Sequence, residues 1–183
     1  QFLANIREVD AIVHVVRCFD DDNVVHVDGS VNPVRDKEII DLELGLKDLE
    51  TVEKRLEKVI RAAKAGSKDD LKALDILNRV KAHLESGRPS RELLADLDDD
   101  GKTLVMRDLS LLTSKPTLYV CNVDEGSMES GNAHTKAFAA SVAGENAEVI
   151  AICACIEAQT TYMESQEARA EVLEMLGLSE PGK

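Results

Sequence analysis

Two short segments carry the side chains best suited to hold a polar ligand. One is Asn122-Val123-Asp124-Glu125-Gly126, where an apolar run ends in a side-chain amide and two carboxylates. The other is Cys153-Ala154-Cys155-Ile156-Glu157, at the end of a second apolar run. An amide both donates and accepts and a carboxylate accepts, so the set could hydrogen-bond a polar heterocycle. In open α/β sheets ligands collect at the carboxyl ends of strands, and neighbouring strands would bring the two loops together. The alternative for Asn and Asp behind a strand is turn formation, with their side chains bonded to nearby backbone.

Two other motifs lie between Asp96 and Asp108 and fail on chemistry. Gly101-Lys102-Thr103 resembles the tail of a phosphate loop, but the required upstream glycine position is Asp96. Asp98, Asp99 and Asp100 would repel phosphate, and no strand precedes them. Asp96, Asp98, Asp100 and Gly101 match positions of a calcium loop, but the position that must be a bidentate Glu is Arg107. A guanidinium cannot ligate calcium. Helix initiation suits the cluster better, with Asp98 as N-cap and Asp99 and Asp100 favoured by the helix dipole. Cys153 and Cys155 have a Cys-x-Cys spacing without a nearby His or a second pair, so no metal site is assigned. The four cysteines read as buried free thiols in a reducing compartment, in keeping with a cytoplasmic protein.

The elements that must position these residues follow from composition and pattern. At about 150 residues per domain, 183 residues make one domain and a bit. Apolar residues reach 44% with no Trp, so the core is expected to be aliphatic. Lys and Arg number 22 against 35 Asp and Glu, a net charge of −13, which argues against generic RNA or DNA binding. No apolar run approaches the ~18 residues of a membrane helix. The chain opens on Gln1, with no signal peptide, and reads as a piece of a longer protein.

After a helix end at Phe2 to Val9, the run Ala11 to Phe19 reads as a strand buried on both faces. Residues 36–112 read as helical. With Ile39 at a and Leu42 at d, seven of the eight a/d positions through Ala63 are apolar, Glu53 being the exception, which predicts a coiled-coil seam. Asp36 is the expected N-cap and Gly66 the stop. A second helix from Lys68 to Ser86, ended by Gly87, would fold back as an antiparallel hairpin. Shorter helices are expected at Ser90 to Leu97 and Asp99 to Leu112. Strands follow at Thr117 to Val123 and Glu148 to Ile156, with helices near Thr135 to Ala143 and Ser165 to Leu176. Strands alternating with helices predict a parallel α/β sheet with a helical arm inserted between its first two strands.

Asn122-x-x-Glu125 at the end of an apolar strand resembles the base-recognition motif of the YchF (Obg-like ATPase) family, in the Obg branch of P-loop GTPases. Ordinary GTPases carry Asn-Lys-x-Asp there. Gln1 to Glu8 with Asp10-Ala11-Ile12 is similar to the family's helix and strand after its second switch. Cys18-Phe19, Val25-His26-Val27 and Asn32-Pro33 resemble its Cys-Phe…Ile-His-Val…Asp-Pro signature. Leu111-Leu112-Thr113-Ser114-Lys115-Pro116 resembles its lead into the base-binding strand, and Cys153-Ala154 with Ile156-Glu157-Ala158 its counterpart of the Ser-Ala-Lys loop. Leu176 to Gly182 resembles the join to a following domain.

The resemblance implies the C-terminal part of a P-loop GTPase-type parallel sheet with an inserted antiparallel coiled-coil arm. Residues 1–35 and 113–183 would form a partial nucleotide-binding domain and 36–112 the arm. It implies ATP or GTP as ligand, with Mg2+ ligands, phosphate loop and switches expected upstream and a TGS domain expected downstream. Asn122 would anchor the base and tie its loop to the phosphate-binding region. Val123 stands where GTPases place a Lys, and Asp124 lies within the motif. Glu125 stands where they place the Asp that pairs with guanine, and Ala154 and Cys155 would offer backbone amides. A carboxylate only accepts, guanine offers two donors on that edge, and a longer Glu leaves that register; the resemblance implies relaxed or reversed specificity, with ATP bound as well as or better than GTP. No catalytic residue is assigned, and the chain alone is expected to be inactive. The family also implies ribosome association, for which Arg55, Lys58, Arg61 and Lys64 are local basic spots; a solvated helix face is the plainer use of those four. The alternatives are a non-catalytic module whose arm binds a protein partner, and a structural fragment. DNA and membrane are not expected as partners.

Overall fold

The computed structural model describes residues 2–21, 23–24, 29–64, 67–145, 147–161 and 165. It divides into two compact units, Gln1–Ile12 with Lys37–Thr117, and Val13–Asp36 with Leu118–Lys183.

The first unit is helical. α1 spans Phe2–Glu8. α2 spans Pro33–Ala63 and enters this unit at Lys37. It starts three residues before the expected cap: Asn32 Oδ1 accepts the Arg35 amide at 3.1 Å, and Pro33 is pre-set for the first helical position. Asp36 therefore lies in the first turn, where its charge still suits the dipole. Ala65 and Gly66 lie outside the described residues. α3 spans Lys68–Glu85, capped by Ser67, whose hydroxyl accepts the Asp70 amide at 3.4 Å. Gly87, at φ +80°, lets the chain turn out of it.

The predicted seam holds in its later part, where Leu49 and Leu56 join the core, and is corrected in its first two turns. Ile39, Leu42 and Leu46 are exposed, while Leu44, Asp48, Val52, Leu56 and Val59 are buried. At 100° per residue, Asp48 lies about 180° from Ile39. Val52, Leu56 and Val59 pack with Ile76, Leu77, Val80 and Leu84 of α3, and with Leu97, Leu104, Val105, Leu109 and Leu111. Lys81 of α3 pairs with Glu53 of α2 at 2.8 Å, as an antiparallel hairpin allows.

The α3 hairpin is followed by a 3-10 helix, Ser90–Asp96. The helix expected over Asp99 to Leu112 is broken. α4 covers Asp99–Thr103, with Asp98 Oδ1 accepting the Gly101 amide at 2.9 Å. One wider π-type turn, Leu104–Asp108, follows, and Ser110 sits at φ +47°. Beyond the break, buried Asp48 of α2 accepts the amides of Leu112 and Thr113 and the Thr113 hydroxyl, each at 2.7 Å, at the start of a separate 3-10 turn, Leu112–Ser114. Thr113 Oγ1 in turn accepts the Ser90 amide at 3.0 Å. Arg7 caps the same corner, donating to the Leu109 carbonyl at 3.2 Å and to Thr51 at 2.9 Å.

The second unit carries the sheet. β1 (Ile12–Arg17), β2 (Thr117–Asn122) and β3 (Glu148–Ile152) lie in the order β1-β2-β3. β2 and β3 run parallel, Leu118 opposite Glu148 through Asn122 opposite Ile152. β1 runs alongside β2, Ile12 N–H bonding to the Pro116 carbonyl and Cys18 N–H to the Asn122 carbonyl. α5 (Ala133–Val142) covers one face, with Phe138 and Val142 packed on Val16, Cys18, Tyr119, Cys121 and Val123. Tyr119 and Phe138 meet edge to face at 5.3 Å, and Tyr119 donates to Glu145 at 2.9 Å.

The expectation that β1 is buried on both faces is corrected: its residues alternate, with Val13 and Val15 exposed. β3 stops at Ile152 instead of Ile156, because α6 (Ala154–Thr161) begins there. Cys18, Cys121 and Cys153 are buried thiols, but Cys155, now helical, is exposed. A hydrogen bond with Cys121 and burial push the Cys18 thiol far above its ordinary range, so it is an inert packing group. Val25-His26-Val27, the segment 176–182 and, apart from Ser165, the predicted helix to Leu176 lie outside the described residues. No described helix is long and apolar enough to cross a membrane.

Candidate functional site

The carboxyl end of β2 is gripped from both sides. The Asn122 carbonyl accepts the Cys18 amide at 2.8 Å, and the Val123 amide donates to the Ile152 carbonyl at 2.8 Å. With its backbone fixed, Asn122 turns its side chain across to the end of β3, where Oδ1 accepts the Ala154 amide at 3.0 Å. This bond joins the two segments that the sequence placed at neighbouring strand ends. It also sets the polarity of Asn122: Oδ1 is engaged, so Nδ2 is the edge left to donate.

The remaining site residues separate by role. Val123 is 2% exposed and belongs to the core under α5, so its side chain is unavailable to a ligand at the strand end. Asp124 is exposed, and its carboxylate accepts the Ser127 hydroxyl, at 3.0 and 2.9 Å from its two oxygens, which leaves it further acceptor capacity. Glu125 opens the 3-10 turn Glu125–Ser127 and is exposed. Ala154 has its amide occupied by Asn122, which leaves Cys155 as the neighbouring amide in the first turn of α6. The Cys155 sulfur accepts from Gln159 at 3.4 Å.

Three residues that the sequence reading passed over shape the loop. Asn132 Nδ2 donates to the Cys18 carbonyl at 2.7 Å and to Ser127 Oγ at 3.3 Å. Its Oδ1 accepts the Thr135 amide at 3.0 Å, and Thr135 Oγ1 accepts the Asn132 amide at 2.8 Å, a reciprocal cap on α5. Asn132 thereby ties the loop after β2 to the end of β1 and to α5. Gly131 sits at φ +64°, and a Cβ there would come within 2.7 Å of Thr135 Oγ1. The signal was present in Gly131-Asn132-x-x-Thr135, a turn glycine followed by a capping pair just before a helix.

The arrangement suits a flat, polar, uncharged group at the strand end. Asn122 presents an amide donor held by its own backbone and by Ala154, Glu125 presents an exposed carboxylate acceptor, and α6 presents the Cys155 amide. Fixed donors on one side and a carboxylate on the other match the mixed edge of a heterocyclic base.

Comparison with known proteins gives the same direction. No protein-family model matches the chain. The chain is 47% identical over 184 residues to the ribosome-binding ATPase YchF of Bacillus subtilis, an alignment covering 100% of the chain and 49% of that protein. It is 36% identical over 182 residues to the ribosome-binding ATPase YchF of Haemophilus influenzae, again covering 100% of the chain and 49% of the relative. Obg-like ATPase 1 of Saccharomyces cerevisiae is 41% identical over 130 residues, 68% of this chain and 32% of that protein. Among solved structures, the Schizosaccharomyces pombe YchF GTPase superposes with a TM-score of 0.84 at 31% identity, covering 97% of this chain and 48% of that one. The chain spans about half the length of the curated relatives it matches.

Proposed function

The chain belongs to the YchF family of Obg-like ATPases, and on that premise we propose that it is the base-recognition half and helical arm of a ribosome-associated nucleoside triphosphate hydrolase. The partial nucleotide-binding domain is residues 1–35 and 113–183, and the arm is 36–112. The observation that carries the proposal is the 3.0 Å bond from the Ala154 amide to Asn122 Oδ1, which builds one ligand-facing edge from two strand ends.

In this proposal Asn122 Nδ2 donates to the base, the Cys155 amide supplies a second donor, and the Glu125 carboxylate accepts from the exocyclic amine. Asp124, exposed and bonded to Ser127, keeps acceptor capacity beside the ligand, and Val123, in the core, supports the loop without touching it. The same burial changes the meaning of Val123: the GTPase lysine position is here part of the hydrophobic core, so it holds the strand end in place. ATP is bound at least as well as GTP, because Glu125 reaches past the register in which a shorter carboxylate takes both guanine donors. The triphosphate and its Mg2+ are held by segments outside this chain, and hydrolysis belongs to the longer protein, working in the cytoplasm.

Titration of fluorescent ATP and GTP analogues into the protein extended to family length tests the proposal. Binding of ATP at least as tight as GTP supports it, and binding of neither overturns it. The alternative in which the arm docks a protein partner is favoured by one feature, the apolar residues Ile39, Leu42 and Leu46 left exposed on α2.

A further inference from the structure

The first two turns of the heptad pattern of α2 form an apolar surface left exposed among the described residues. Ile39, Leu42 and Leu46 are 42%, 61% and 52% exposed, and Ile40 beside them is 38% exposed. The first three fall within about 60° of arc on one side of the helix, over two turns. That is the a-d-a spacing of a helix-to-helix seam. Intramolecular packing takes the opposite side of α2, through Leu44, Asp48 and Val52. The heptad seam is thus divided along the helix: its later members Leu49 and Leu56 join the core, while Ile39, Leu42 and Leu46 stay exposed among the described residues.

Charge around the exposed stripe selects what can cover it. Glu43 and Glu50 border one edge and Glu38 borders the other, all three exposed, with Glu50 already paired to Lys47 at 2.8 Å, so that Glu38 and Glu43 carry the charge argument. In heptad terms Glu38 is at g, and Glu43 and Glu50 are at e. A second copy packed parallel would set Glu38 against the other copy's Glu43, and antiparallel packing would set e against e and g against g. Either way carboxylates face carboxylates. Nucleic acid and anionic lipid surfaces are repelled by the same residues. Cations at the matching positions are attracted instead.

We propose that the stripe Ile39-Leu42-Leu46, with its rim of Glu38, Glu43 and Glu50, docks an amphipathic helix of another protein whose apolar face is flanked by Lys and Arg. The inference deepens the arm-partner alternative and does not depend on nucleotide binding. Three or four exposed side chains make a small contact, so the complex is a micromolar, salt-sensitive one.

The test uses the whole chain and two synthetic two-heptad peptides with Leu at a and d, one with Lys and Arg at e and g, the other with Glu there. Binding is followed by fluorescence anisotropy at two salt concentrations, with circular dichroism confirming that each variant keeps its helix content. The basic peptide is expected to bind and the acidic one not. Leu42→Gln with Leu46→Gln should weaken the basic peptide by about 10-fold or more, and Glu38→Lys with Glu43→Lys should weaken it and flatten the salt dependence. Ile60→Gln with Leu71→Gln, exposed apolar residues elsewhere on the hairpin, should change it less than about 2-fold, as distant independent sites do. The proposal is overturned if the basic peptide binds the Leu42/Leu46 variant as well as wild type, since attraction is then only diffuse charge. Transfer of the loss to the Ile60/Leu71 variant overturns the stripe while sparing the arm reading. Absence of binding up to about 1 mM, or a wild-type dimer in sedimentation that Leu42→Gln with Leu46→Gln dissolves, also overturns it.

Discussion

Asp48 provides the sharpest stability prediction, because one buried carboxylate anchors the 3-10 turn Leu112–Ser114 that leads into β2. It is 0% exposed, and it accepts the Leu112 amide, the Thr113 amide and the Thr113 hydroxyl, all at 2.7 Å. Asp48→Ala leaves two buried amides without an acceptor, at about 1–3 kcal/mol each, while the hydroxyl can rotate elsewhere. Relief of the buried charge offsets part of this, so the net loss is about 3 kcal/mol, or roughly 6–12 °C in Tm for a chain of this size. Asp48→Asn keeps one acceptor and sets an NH2 against a donor, and should lose about 2 kcal/mol.

The pH dependence separates the two opposing effects. Burial pushes the Asp48 carboxyl above its ordinary range, against the pull of the Thr113 and Leu112 hydrogen bonds and of Arg7. A raised folded-state pKa means the fold binds this proton more tightly than the unfolded chain does. The group's stabilising contribution is therefore full below about pH 4 and is lost as pH rises through the raised folded value. Urea denaturation followed by far-UV circular dichroism at pH 7 and near pH 4.5 should show the gap between wild type and Asp48→Asn widening in acid. A gap that narrows in acid would refute the dominance of burial. A change below about 0.5 kcal/mol for Asp48→Ala at pH 7 would refute the structural role itself.

Three further outcomes are expected. Gly131→Val places a Cβ 2.7 Å from Thr135 Oγ1 at φ +64°, and should cost about 2 kcal/mol in thermal or urea melts, with Gly131→Ala nearly as damaging. Asn132→Ala removes the cap of α5 and the 2.7 Å bond to the Cys18 carbonyl, and should cost about 2 kcal/mol, whereas Asn132→Asp, keeping only the cap, should lose less. Val123→Lys inserts an ammonium at a site 2% exposed beside Phe138 and Val142, and should lose about 3 kcal/mol or more, visible as a lowered urea midpoint.

The strands, the parallel order and the hairpin were legible because they rest on local patterns: β-branched runs, short links and caps such as Asp98 and Ser67. Three things were not. The face of α2 could not be read from its heptads, because the sequence shows which residues are apolar and not which stripe finds a partner. Its buried stripe contains Asp48, whose burial depends on amides 64 and 65 residues away. The 3-10 turn at Leu112–Ser114 was hidden for the same reason, since its first amides are held by that distant carboxylate. At the site, Asn122 and the meeting of the two strand ends were readable from topology. The bond from Ser127 to Asp124 and the inward turn of Val123 depend on the loop and on α5, and no spacing in the chain announced them.

The central claim, that Glu125 and Asn122 form a base-reading edge suited to ATP, is tested most directly by the ratio of ATP to GTP affinity in the family-length protein and in its Glu125→Asp variant. Wild type should bind ATP at least as tightly as GTP, and Glu125→Asp should move the ratio toward GTP without changing the urea midpoint. A wild-type preference for GTP above about 10-fold, some 1.4 kcal/mol, or a ratio that Glu125→Asp leaves unmoved, would contradict the assignment.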